Sequence, residues 1–263
     1  LKRCQSYLEA WLEYADPQSG LIPENLDRGI DRWTPHNSAA DNYPFMVLVS
    51  ELTDSVRFHG TMQRMLETEI ALNLAQTQGA FLTSVRGIGI VLAAGVSAEI
   101  GNPFEQKPIN NLVSYSGIIP RVKQTGGPQG KTKTGKVARR CNRILKDYVV
   151  RSASHLGLYG PTDLKSDCQR RQAAAQHADF GIGRRYLRMA MSLMRTSQVY
   201  LPPRLRKADS TLEERAGYYL IIWPYLREKW KKHGALEAAF TKDRPLGMWR
   251  QIVQELYDIT LKL

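Results

Sequence analysis

Through most of this 263-residue chain the apolar residues recur three and four positions apart, and no segment sustains the two-residue alternation of a half-buried strand. Tyr7, Leu8, Trp11, Leu12 and Ala15 follow that rule near the start. Tyr186, Leu187, Met189, Ala190, Leu193 and Met194 follow it later, and Trp249, Ile252, Val253, Leu256 and Tyr257 near the end. The periodicity predicts helices over residues 3–15, 39–52, 56–74, 137–150, 168–178, 183–196, 212–232 and 246–263, with a helix, a tight turn and a helix over 81–101. Pro44 fits only in the first turn of its helix, and Pro224 allows a kink. Asp16-Pro17-Gln18-Ser19-Gly20, Gln76-Thr77-Gln78-Gly79, the stretch 128–136 and Leu201-Pro202-Pro203 punctuate the pattern. The expected class is all-α without internal repeats, and the 43% hydrophobic content can support a packed core.

Several function classes fall away. No run approaches the roughly 20 apolar residues of a membrane helix. Leu1-Lys2-Arg3-Cys4 leads into Glu9 and Glu13 without an apolar signal core, so the expected location is cytoplasmic, away from any membrane. Cys4, Cys141 and Cys168 are too few and too far apart for a disulfide framework or a zinc pair, and the five histidines are scattered. No metal site is expected.

Charge divides the chain. Residues 1–75 hold 6 Lys+Arg and 11 Asp+Glu, a net of −5, whereas residues 76–263 hold 31 and 14, a net of +17. The second segment is suited to a polyanion, most commonly a nucleic acid. A basic protein with no specific ligand would show the same balance, so motifs must discriminate. Arg86-Gly87-Ile88-Gly89 lies between an apolar run and the small-residue stretch Ala93-Ala94-Gly95, which is the pattern of a helix-hairpin-helix. In that motif the hairpin amides face a phosphate, with Arg86 adding charge; a plain helical corner would look similar. From Arg121 to Lys146 there are nine basic residues and no acidic one: Arg121, Lys123, Lys131, Lys133, Lys136, Arg139, Arg140, Arg143 and Lys146. Solvated faces usually mix signs, so this run is the expected nucleic-acid surface. Arg139, Arg143 and Lys146 fall on one helical face, with Ile144, Leu145, Tyr148 and Val149 on the other. Tyr218, Tyr219, Trp223, Tyr225 and Trp230 could stack on bases, although core packing accounts for most such residues.

With these residues in hand, the stretch from about 76 to 260 resembles the carboxyl-terminal domain of the insertion-sequence-one-ten family of transposases. The carrying order is Gly87-Ile88-Gly89, Ala98-Glu99-Ile100-Gly101, Tyr115-Ser116-Gly117-Ile118-Ile119-Pro120-Arg121, Thr125-Gly126-Gly127 and Arg140-Cys141-Asn142-Arg143. The resemblance implies a recombinase that moves a mobile element, with DNA as partner, and leaves open a structured guide RNA and a homo-oligomer. It also implies a serine nucleophile in this domain and an amino-terminal domain with four acidic metal ligands. Two departures follow. Thr125 stands where the family has its serine, with Ser116 and Ser114 as other hydroxyls. Thr125 could instead be a turn residue and Ser116 a helix cap. The four-carboxylate domain is not among residues 1–75, so an incomplete form, inactive alone, is expected, with no cofactor in this chain and Mg2+ only together with that domain.

Residues 1–72 resemble helical-hairpin segments of (α/α)-toroid enzymes of the glycoside-hydrolase kind, through Tyr14-Ala15-Asp16-Pro17, Gly20-Leu21-Ile22-Pro23 and Ala39-Ala40-Asp41-Asn42-Tyr43-Pro44-Phe45. Glu24 and Asp41 would be remnants of a sugar site or plain solvated carboxylates. The alternatives to a transposase are therefore a helical carbohydrate-active-enzyme fragment and a non-catalytic nucleic-acid-binding fusion protein. A boundary between segments of different origin is expected near residues 70–78, with few contacts across it.

Overall fold

The computed structural model describes residues 1–17, 19–23, 42–105, 108–124, 132–137, 141–173, 178–207, 209–236 and 248–261. Its helices are α1 (Lys2–Leu12), α2 (Asn42–Thr53), α3 (Ser55–Arg57), α4 (Gln63–Leu74), α5 (Ile90–Ile100), α6 (Ile109–Tyr115), α7 (Arg143–Tyr159), α8 (Thr162–Ala173), α9 (Ala178–Thr196), α10 (Leu212–Lys232) and α11 (Met248–Thr260). A π-helical turn, Phe58–Met62, joins α3 to α4, and 3-10 turns occupy Gln78–Ser84 and Pro203–Arg206. The all-α expectation holds, with one small addition: strands β1 (Pro120–Gln124) and β2 (Thr132–Val137) form an antiparallel ribbon. No described helix is long and apolar enough to cross a membrane.

The centre is α9, whose Tyr186, Leu187, Ala190, Leu193 and Met194 are buried at helical spacing. It packs against α6, α7, α8 and the 3-10 turn 78–84. Helix α7 meets it with Leu145, Val149, Ser152 and Leu156. Helix α5 lies between α4 and α7. Its small residues serve α7: a Cβ on Gly95 would stand 2.4 Å from the Tyr148 ring. Helix α10 starts at a capping box, in which the Thr211 hydroxyl accepts from the Glu214 N–H (3.1 Å) and the Glu214 carboxylate accepts from the Thr211 N–H.

Four expectations need correction. The arm before the Gly87–Gly89 turn is a 3-10 turn, not an α-helix. There the Thr83 and Ser84 hydroxyls donate to carbonyls three residues back, at 2.7 and 2.5 Å, and residues 79–84 are buried. Helix α7 begins at Arg143, behind its N-cap Asn142, rather than near 137, where β2 ends. Ile144, assigned to its inner face, is exposed. Helix α8 begins at Thr162, just after Pro161, six residues before the expected start. Finally, contacts across residue 76 are extensive. Helix α4 packs along α5, Glu67 lies 3.3 Å from His233, and one continuous core runs from Leu8 to Ile259. Met65, Ala71 and Leu74 of α4 are buried, and α4 packs along α5 despite the change in surface charge.

Candidate nucleic-acid interface

Asn142 draws together three motifs that are far apart in sequence. It is the N-cap of α7, and its Oδ1 accepts from the Leu145 N–H at 2.9 Å, satisfying an amide that has no intrahelical partner. Its Nδ2 donates to the Glu99 carboxylate at the end of α5 and to the Tyr115 phenol oxygen (3.0 Å) at the end of α6. Its backbone N–H donates to the Tyr115 carbonyl at 2.9 Å. Every polar group of the side chain is thus engaged.

Between Tyr115 and Asn142 the chain leaves the helical body as the ribbon and returns. At its departure Gly117 adopts φ +67°, which favours glycine. Ile118 is buried, and its carbonyl accepts from Arg184 Nη1 at 2.8 Å. Burial, with Arg171 and Arg188 nearby, lowers the Arg184 pKa from its ordinary value. The chain is therefore held to the body on either side of the ribbon, at Ile118 by Arg184 and at Asn142 where α7 begins.

The ribbon's backbone carries Arg121 and Lys123 on β1 and Lys133 and Lys136 on β2, and its register pairs Lys123 with Lys133. Arg143, exposed, and Lys146, half-buried, lie in the first turn of α7, which holds no acidic residue. Cations there oppose the helix dipole, so the arrangement is favourable only towards an anion. The Lys146 ammonium stands 5.8 Å from the Phe180 ring centroid. Thr125, Lys131, Arg139 and Arg140 lie outside the described residues, as do Glu24 and Asp41.

Ser116 is fully buried, and its hydroxyl donates to the Val113 carbonyl at 2.8 Å. It serves as the cap at the end of α6, and solvent does not reach it. Ser114, exposed, donates to the Asn110 carbonyl. Arg171, Arg184 and Arg188 were missed as site candidates because α8 and α9 present them one at a time in sequence. Only the interaction of Arg171 and Arg188 with Arg184 groups them.

The glycine hairpin divides its roles. Gly87 has φ +91°, and a Cβ there would stand 3.1 Å from the His155 carbonyl, so it packs against the end of α7. Gly89, at the start of α5, has open space around its Cα, and Arg86 beside it is exposed. Lys229 of α10 supports the turn from behind, donating to the carbonyls of Thr83 (2.6 Å) and Ile88 (2.8 Å). Burial lowers its pKa from the ordinary 10.5 to about 7.

Among the described residues no three His, Cys, Asp or Glu side chains stand together as a metal site. Neither the curated proteins nor the solved structures give a significant match to this chain. A family model does: the one described as Transposase IS116/IS110/IS902 family matches residues 79–158. That span contains the glycine turn, Glu99, Tyr115, the ribbon, Asn142 and almost all of α7. The resemblance drawn to about residue 260 is matched as far as residue 158. Over residues 79–158, then, the chain is similar to the transposases of the IS116/IS110/IS902 family.

Proposed function

We propose that this chain handles DNA in transposition, with the ribbon 120–137 and the first turn of α7 as its principal phosphate-binding surface. The observation that carries the reading is an acid-free basic ribbon whose chain is held to the body on either side, by Asn142 with Glu99 and Tyr115 and by Arg184. A charged two-stranded ribbon is marginal by itself. Held on either side, it is a cationic arm that gains by neutralisation. Gly89 and Arg86 provide a second, smaller contact at the start of α5, where backbone amides favour anions. The segment 1–75 is of different origin and contributes packing through α4.

Within this reading Thr125, the residue that follows β1 in sequence, is the nucleophile. Its Oγ1 forms a bond to a DNA phosphorus as the bond to the leaving deoxyribose oxygen breaks. The hydroxyl proton passes to solvent, and the strand end departs as a free hydroxyl. The phosphodiester left on the protein stores the bond for rejoining. Neighbouring cations stabilise the charge that develops on the phosphorane. The family implies Mg2+, but the described residues offer no ligand set for it, and no step here runs through a metal.

Binding is tested by its salt dependence. Each phosphate contact on duplex DNA contributes about −0.9 to the slope of log affinity against log salt. Replacing Lys131, Lys133, Arg139 and Arg140 with Gln is expected to flatten that slope by roughly 3 to 4 units, with similar loss on unrelated sequences. An unchanged slope in a folded variant removes the ribbon as the binding surface. The nucleophile is tested separately, by denaturing gels for covalent protein–DNA adducts. Thr125→Ser is expected to keep or increase the adduct and Thr125→Val to abolish it; an adduct that survives in Thr125→Val excludes Thr125.

A further inference from the structure

A cavity of about 690 Å³ opens beside Arg86 of the glycine turn. Tyr200, Tyr218, Tyr225 and Ile221 line it, with Arg86 and Arg204 among the same lining residues. The three phenol oxygens are already engaged. Tyr218 donates to the Tyr200 carbonyl (2.7 Å), Tyr200 donates to the Asp163 carboxylate (3.1 Å), and Tyr225 accepts from the Gly87 N–H. What these residues offer a ligand is ring surface. The lining holds one carboxylate, Asp163, and it is paired with Arg185. Arg204 is paired with Glu214, whereas Arg86 is exposed and makes no ion pair among the described residues.

We propose that this cavity receives one unpaired nucleotide of a DNA strand, with the base against the tyrosine rings and its phosphate at Arg86. The proposal rests on the DNA reading above and adds a site to it. An apolar, ring-lined space with one uncompensated cation matches the two halves of a nucleotide. Stacking on tyrosine accepts any base, as strand handling requires. The volume lies within the usual range for small-ligand sites. The glycine turn contributes Arg86 to the cavity and Gly89 to the open start of α5, so a strand contacting that turn passes the opening.

The test compares an oligothymidylate of about 12 nucleotides with a duplex of the same length, by fluorescence anisotropy. Ile221 is 74% exposed, so Ile221→Asp places a carboxylate in the cavity without disturbing the core. Ile221→Asp is expected to weaken single-strand binding about tenfold, with much smaller loss on the duplex. A single 5-iododeoxyuridine in the strand, irradiated in the complex with the unaltered chain, is expected to cross-link to Tyr200, Tyr218 or Tyr225. Unchanged or equal losses on both substrates, or cross-links confined to the ribbon, overturn the cavity assignment. Such a result leaves the ribbon reading standing if the four-Gln variant has lost its salt slope. If an oligouridylate of the same length binds more tightly and is equally sensitive to Ile221→Asp, the occupant is RNA and the DNA assignment fails.

Discussion

Lys229 is a charged residue type in a site that suits its neutral form. Burial is what disfavours the ammonium, although its Nζ donates to the carbonyls of Thr83 and Ile88 and lies 4.4 Å from the Tyr225 ring centroid, contacts that partly offset the loss of water. In the unfolded chain the same lysine holds its proton up to its ordinary value of 10.5. Between about pH 7 and that value the unfolded state binds more protons than the folded one, so raising pH through the window stabilises the fold. Thermal unfolding followed from pH 7 to 8, below the range in which the Cys168 thiol and the tyrosines, all raised by burial, ionise in the unfolded chain, is expected to show a rising midpoint, and Lys229→Met to remove most of the rise. His233 does not confuse the result. Its pKa is lowered chiefly by burial, with Glu67 opposing, so it titrates below its ordinary 6.5 and outside that window. An identical pH profile in Lys229→Met shows that the ammonium is not desolvated as described. From sequence, Lys229 is one more cation in a basic helix; its two carbonyl partners lie more than 140 positions away.

The ribbon is the element the sequence reading missed, and the reason is visible in its residues. Arg121-Val122-Lys123-Gln124 and Thr132-Lys133-Thr134-Gly135-Lys136-Val137 do alternate, with Val and Thr at strand-favouring positions. Short alternation among lysines and glycines also fits a polar loop, and its charge drew the functional reading instead. The chain is held on either side of the ribbon. Asn142→Ala removes the α7 cap and both contacts to Glu99 and Tyr115. It is expected to cost about 1 kcal/mol or somewhat more in urea unfolding. Asn142→Asp keeps the cap acceptor but loses the N–H donors and faces the Glu99 carboxylate, so it is expected to be no better than Ala. If Asn142→Asp matches the unaltered chain in stability and in DNA affinity, the three-motif junction does not hold the ribbon.

At the scale of the molecule, the charge break near residue 76 marks a change of surface and not of core. Met65 of α4 is fully buried, and α4 packs on α5, which packs on α7 and, through the 78–84 turn, on α9. Met65→Ala is expected to cost about 2–5 kcal/mol. Because α4 shares that core, the loss is expected to raise hydrogen-exchange rates in α9 as well as in α4. Faster exchange confined to residues 1–75 would instead make the first segment an independently folding unit.

Local order settled most of the helices, because periodicity, N-caps and prolines act within a few residues. Thr211 with Glu214 is such a signal, and α10 spans 212–232 as its pattern predicts. The acid-free run from Arg121 to Lys146 is equally local, and so is the glycine turn. Tertiary structure decided everything that depends on residues distant in sequence. It placed Ser116 out of solvent and turned Gly87 inward while leaving Gly89 open. It gathered Glu99, Tyr115 and Asn142 into one junction. It also sorted the aromatic helix, sending Tyr219 and Trp230 into the core and Tyr218 and Tyr225 to the cavity wall. A hydroxyl or a ring has the same local preferences in either place. Which one it occupies depends on the burial and hydrogen-bond partners that the rest of the chain supplies, and those arise only when distant helices close on one another.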